Sequence, residues 1–183
     1  MREIAELLGV STDAVVYFMR RQGIARRTPS ENNAIRFEQK HPSFKVKSST
    51  NKYLEAFGTA LYWAEGAKSK SAGGIDFANS DPKMIAFFLA FLRDRYTLDE
   101  KRLRVFLYCH SRKDIQNLIR FWSHLTRIPH SQFTNPYIQS GSDSKKHKMP
   151  YGLVHIRYYD KKLLNDVKNL IQSYVRGYAS VDP

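Results

Sequence analysis

A single cysteine, Cys109, stands in a chain of 183 residues, and that scarcity alone excludes an intramolecular disulfide framework and any thiolate metal cluster. A reducing compartment fits it. No run of apolar residues approaches the roughly 20 needed to span a bilayer, and the polar, helix-patterned N-terminus does not read as a secretory signal. The expected location is therefore the cytoplasm, with no membrane partner. Acidic residues are scarce beside basic ones: 17 Asp and Glu face 30 Lys and Arg, a formal charge of +13. Such a surplus repels itself on folding but draws in a polyanion. An anionic membrane surface is a weaker reading, because no basic amphipathic segment with an aromatic face is present. Also missing are a Gly-rich phosphate loop, zinc spacing among the scattered histidines, internal repeats and low-complexity tracts. With 42% hydrophobic residues, the chain can still bury a core.

Residues 2–23 read REIAELLGVSTDAVVYFMRRQG. Ile4, Leu7 and Leu8 form one helical stripe, with Ala5 small enough to admit a crossing helix. Gly9 permits a left-handed end to that helix, and Ser11 caps the next. In the second helix Ala14, Val15 and Phe18 should turn inward. Thr12, Asp13, Val16, Tyr17 and Arg20 are left outward with Arg21 nearby, the cap Ser11 joins them as a DNA-contact candidate, and Arg26 and Arg27 follow Gly23. This small-residue, glycine-turn pattern resembles helix-turn-helix DNA-binding units, which implies double-stranded DNA as the partner. The plain alternative is an αα-hairpin within a larger core. Two such helices bury too little surface alone. Thr28-Pro29-Ser30-Glu31 offers a capping box for a third, running to about Gln39 and burying Ala34 with Phe37 or Ile35. Residues 1–40 are thus expected to be a helix-turn-helix region and 41–51 a basic linker.

A larger domain is expected over 52–178. Residues 53–64 are strongly apolar and helical in pattern. Gly58 costs that helix about 1 kcal/mol relative to alanine, a cost that makes sense where another helix approaches closely. A short hairpin is expected over 67–70 and 75–79, then a helix from Asp81-Pro82 with Met84, Ile85, Phe88, Leu89 and Leu92 inward. A strand over 103–109, a helix over 111–126 capped by Ser111, strands over 133–138 and 153–159, and a last helix capped by Asp160 complete the order. Residues 139–149 read as a polar, basic loop. Asp99 and Lys101 have a spacing used by some metal-dependent nucleases, but in a turn-like stretch.

The run FGTALYWAEG over 57–66 resembles the signature helix of LAGLIDADG homing endonucleases, and the following element order resembles that family over roughly 52–174. Ala60 and Ala64 match two of the signature's small positions, and Glu65-Gly66 its terminal acid-glycine pair. Trp63 and Thr59 depart from it, and the helix over 111–126 is inserted between strands the family usually joins directly. The resemblance implies an α+β chain: a helix-turn-helix followed by a LAGLIDADG-like domain with a saddle-shaped antiparallel sheet. It further implies close helix packing through Gly58, Ala60 and Ala64, and a catalytic carboxylate at Glu65. The metal site would be built on Glu65 and Gly66, holding Mg²⁺ or another divalent cation. One motif per chain implies a homodimer on a roughly palindromic duplex, with Lys68 and Lys70 on backbone phosphates. The alternative within the same resemblance is a non-cleaving transcription regulator, with Glu65 a helix-end remnant.

Overall fold

A computed structural model describes residues 2–29, 31–33, 35, 43–109, 115–138 and 149–176. The chain is mixed α+β and divides into two compact units, residues 1–42 and 43–183.

In the first unit, α1 (Arg2–Leu8) stops where Gly9 turns left-handed at φ +64°, and the Val10 N–H returns to the Ala5 carbonyl at 3.0 Å. Ser11 then starts α2 (Thr12–Arg21) by accepting from the Ala14 N–H at 3.1 Å. Ala5 and Val15 are buried, whereas Ala14 is exposed and Phe18 is 58% exposed. The inward placing expected for Ala14 and Phe18 is therefore corrected: helices of seven and ten residues enclose only the two side chains nearest their crossing. The capping box forms. The Glu31 carboxylate accepts from the Thr28 N–H at 2.6 Å, and the Glu31 N–H donates to the Thr28 hydroxyl at 3.2 Å. Backbone beyond it is helical at 29, 31–33 and 35. Ala34 and Phe37, expected to complete that helix, lie outside the described residues.

The second unit begins earlier than the sequence suggests. Residues 43–50, which read as part of a solvated tether, are built into it. Ser43 is buried, β1 (Phe44–Val46) pairs antiparallel with β3 (Tyr96–Leu98), and Ser49 and Thr50 each donate to Asp94 at 2.6 Å. Neither strand was legible, because three residues show no alternation and Lys45 and Lys47 disguise Phe44 and Val46.

Three helices, α3 (Lys52–Glu65), α4 (Pro82–Arg95) and α6 (Lys161–Val175), have side-chain caps at Asn51, Asp81 and Asp160. The central sheet runs β2 (Ile75–Asn79), β6 (Leu153–Tyr158), β4 (Leu103–Cys109), β5 (Tyr137–Ile138). The expectation of a fully antiparallel sheet is corrected at its edge. β5 lies parallel to β4, because α5 (Ile115–Thr126) carries the chain over as a crossover between them. The Ser111 cap of that helix and residues 139–148 of the basic loop lie outside the described residues. The first arm of the expected hairpin is reduced to one bridge, Gly66 with Phe77, beside the Ala67 N–H bonded to the Asp76 carbonyl. The inner face of the sheet supplies Ile75, Phe77, Val105, Leu107, Val154 and Ile156 to one core with Phe88, Phe91, Trp122, Leu164 and Val167. Among the described residues no helix is long and apolar enough to cross a membrane.

Candidate nucleic-acid interface

On α2 the positions that α-helical spacing turns away from Val15 are solvent-facing: Thr12, Asp13, Tyr17, Arg20 and Arg21, with Ser11 at the cap. Tyr17 is 67% exposed. Arg26 and Arg27 are exposed in the segment after Gly23, whose φ is +65°. Opposite them, Ile4, Leu8, Phe18 and Ile24 line an open apolar cleft of about 530 Å³ within the same unit.

In the second unit α3 separates two kinds of small residue. Gly58 is buried, and a Cβ there would stand 2.2 Å from Phe91 Cγ on α4. The close approach it permits is thus to α4 of the same chain. Ala60 and Ala64 lie on the other face, exposed, beside Tyr53, Phe57 and Trp63, which are 87%, 67% and 54% exposed. Phe57 extends this apolar strip to Phe87 of α4, ring edge to ring face at 5.9 Å. Thr59, at a position where the signature carries a smaller residue, is buried and donates its hydroxyl back to the Glu55 carbonyl at 2.6 Å.

Glu65 ends α3 in solvent, where the chain passes onto the edge of β2. Gly66 is buried because the Tyr62 ring lies over it; a Cβ would meet Tyr62 Cδ2 at 2.4 Å. The Tyr62 hydroxyl donates to the Ala67 carbonyl at 2.9 Å, and burial, ahead of the Asp76 charge, pushes its phenol up to about 12. Lys68 does not reach outward. Its ammonium donates to the carbonyls of Trp63 at 2.7 Å and Gly66 at 2.8 Å, covering the negative end of the α3 dipole. Lys70 is exposed. Among the described residues no three His, Cys, Asp or Glu side chains group as metal ligands. Asp99 accepts from the Lys101 N–H at 3.2 Å as a turn cap, which accounts for that spacing.

The outer face of the sheet carries residues that the motifs of the sequence do not mark. Alternation along β4 turns Arg104, Phe106 and Tyr108 outward, and along β6 Leu153, His155 and Arg157. Register aligns them in rows: Asp76, Arg157 and Arg104; then Ala78, His155 and Phe106; then Leu153, Tyr108 and Tyr137. Asp76 binds two of these, His155 Nδ1 at 2.8 Å and Arg157 Nε at 2.7 Å. Burial raises its carboxyl, but the bond and charge of His155 and the Arg157 guanidinium outweigh that and hold it below the usual carboxylate range. Arg157 lies over the Phe106 ring, 4.1 Å from its centroid. The signal was present in RVFLY over 104–108 and VHIR over 154–157, where polar or aromatic residues alternate with aliphatic ones.

Comparison of the chain with protein-family models, with curated proteins and with solved structures returns no match.

Proposed function

We propose that this is a sequence-specific DNA-binding protein. Its helix-turn-helix unit reads duplex DNA, and its larger unit joins a second copy to form a homing-type endonuclease centre with one Glu65 from each. The observation that carries this reading is the make-up of α3. One helix presents an exposed apolar strip through Phe57, Ala60 and Ala64, and it ends on an exposed carboxylate at the edge of a sheet with an arginine-bearing outer face. An apolar strip with small residues favours a second helix packed close against it. Two copies would bring their Glu65 carboxylates together.

One copy alone does not fit a divalent ion. It offers one free carboxylate, while the Gly66 carbonyl already accepts from Lys68. With a second copy the pair of Glu65 carboxylates suits Mg²⁺, whose role in such a centre would be to stabilise charge on the phosphate and activate water. The chain's own part is to hold Glu65 at the helix end, through Gly66 packed beneath Tyr62 and Tyr62 bonded to Ala67.

The Lys68 ammonium favours a second reading, a DNA-binding regulator that does not cut. A resident cation on the carbonyls of Trp63 and Gly66 answers the same negative helix end that would attract a metal. The two separate in one experiment. A duplex selected by the full chain should be cut in Mg²⁺, and Glu65→Gln should abolish cutting while leaving duplex affinity within a few-fold. Tight binding without cutting in Mg²⁺, Mn²⁺ or Ca²⁺ establishes the regulator reading instead. Absence of duplex binding overturns both.

A further inference from the structure

We propose that the outer face of the central sheet is a stacking platform for unpaired nucleotides. This rests on the reading of the protein as a nucleic-acid binder and names what that face takes. The face is built across three hydrogen-bonded strands, so its side chains are fixed by register. Tyr108 on β4 sits between Tyr137 of β5, ring centroids 5.4 Å apart, and His155 of β6, at 5.1 Å. Phe106 pairs across from His155 and carries the Arg157 guanidinium on its ring. Tyr137 is 58% exposed, and Phe106, Tyr108 and His155 are each half-buried, presenting rings without being enclosed.

Chemistry decides what such a row can bind. Duplex DNA hides the faces of its bases and shows only their edges, which are read by side chains bearing donors and acceptors. Phe106 has neither, and each tyrosine has one hydroxyl at the rim of a flat ring. What these rings offer is area for a base face, and only an unpaired base has a face to give. Charge points the same way. Arg104 and Arg157 flank the row, and the acid opposite them, Asp76, is engaged by His155 and Arg157. The Asp76 bridge also fixes the His155 ring and the Arg157 guanidinium in place, so little side-chain freedom remains to be lost on binding. The platform suits a short single strand, its bases against Tyr137, Tyr108 and His155 and its phosphates near Arg104.

The test uses the full chain and three fluorescein-labelled probes: an oligothymidylate, an oligouridylate of equal length, and a blunt duplex, followed by anisotropy at fixed salt. A single strand should bind. Tyr108→Ala should weaken it about 5- to 150-fold, the range found when one stacking ring is removed, while Tyr108→Phe should stay within about two-fold. Tyr137→Ala removes a side chain largely in solvent and should also weaken the single strand without disturbing the fold. The loss on the duplex should be several-fold smaller for both alanine variants. Which strand binds more tightly identifies DNA or RNA as the source. Binding of the duplex with no binding of either single strand overturns the platform and leaves the DNA reading intact. Equal losses on strand and duplex also overturn it, and binding of no probe overturns both.

Discussion

Gly58→Ala places a methyl group where α3 crosses α4, and the two reasons to expect an effect have opposite signs. Alanine is the better helix former, by about 1 kcal/mol in a helix interior. Against that, the new Cβ would lie 2.2 Å from Phe91 Cγ, 2.3 Å from its Cβ and 2.8 Å from its Cδ1. The Phe91 Cβ is fixed by the α4 backbone, so no rotamer change removes the conflict. Phe91 is fully buried among Phe88 and Tyr96 and has no free volume to enter. The two helices must therefore separate. Overpacking of this kind costs about 1–3 kcal/mol, and conflict with three atoms places it near the upper end. Subtracting the propensity gain leaves a net loss of about 2 kcal/mol, a fall in Tm of roughly 4–8 °C for a domain of this size. Urea unfolding followed by circular dichroism measures it. Ala60→Gly, on the exposed face of the same helix, is the control and should lose only the propensity difference, about 1 kcal/mol. A Gly58→Ala chain as stable as wild type, or more so, refutes the close α3–α4 crossing. That result is what a glycine reserved for a second molecule would give, since the free chain would then feel only the improved propensity.

Asp76→Asn should lower the urea midpoint at pH 7 by the equivalent of about 1 kcal/mol, the pair being partly in solvent. Because the folded state holds the Asp76 carboxyl below its usual value, the stability it contributes is present above the ordinary value of 3.8 and is lost as pH falls through the lower, folded one. Wild type should therefore lose more stability than the variant on acidification below about pH 4. Tyr62→Phe removes the bond to the Ala67 carbonyl and should cost about 1 kcal/mol. With the Tyr62 phenol raised to about 12, its contribution is intact below pH 10 and declines as pH approaches 12. The alkaline limb of the stability profile should be shallower in the phenylalanine variant. Replacing Arg20 and Arg21 together by alanine should weaken duplex binding and reduce the slope of log affinity against log salt by up to about two, roughly 0.9 for each phosphate that is no longer neutralised. An unchanged slope would remove α2 from the interface.

The elements that were legible in the sequence are those with local signals. Gly9, Ser11, Asp81 and Asp160 mark helix boundaries through their own backbone geometry or their own side-chain bonds, and each acts within three residues of its position. The elements that were not legible depend on distant partners. β1 exists because Tyr96 and Leu98, some fifty residues on, give Phe44 and Val46 a ladder, and because Tyr158 donates to the Ser43 carbonyl. The parallel pairing of β5 follows from where α5 delivers the chain, which no periodicity encodes. Lys68 illustrates the same limit at the candidate site. Its position two residues after Gly66 is visible in the sequence, but an ammonium three residues past the last helical residue can point to solvent or fold back. Only the open carbonyls at the end of α3 select the second course.

The two candidate surfaces of the larger unit are constrained by different physics, which bears on how far each can change without loss of the fold. Glu65 stands exposed on the last turn of a helix whose buried face is Glu55, Gly58, Thr59 and Tyr62. Glu65→Gln should therefore leave the urea midpoint unchanged, and on the proposed reading one such substitution would separate cutting from binding. The sheet face is less free. His155 and Arg157 each bond to Asp76, Arg157 covers Phe106, and their neighbours along each strand are the core itself. Replacing Asp76 would therefore release both His155 and Arg157, whereas Tyr137 at the edge is free to change alone. On the reading proposed above, strand binding rests on side chains tied to one another across the sheet, whereas cleavage rests on one exposed carboxylate.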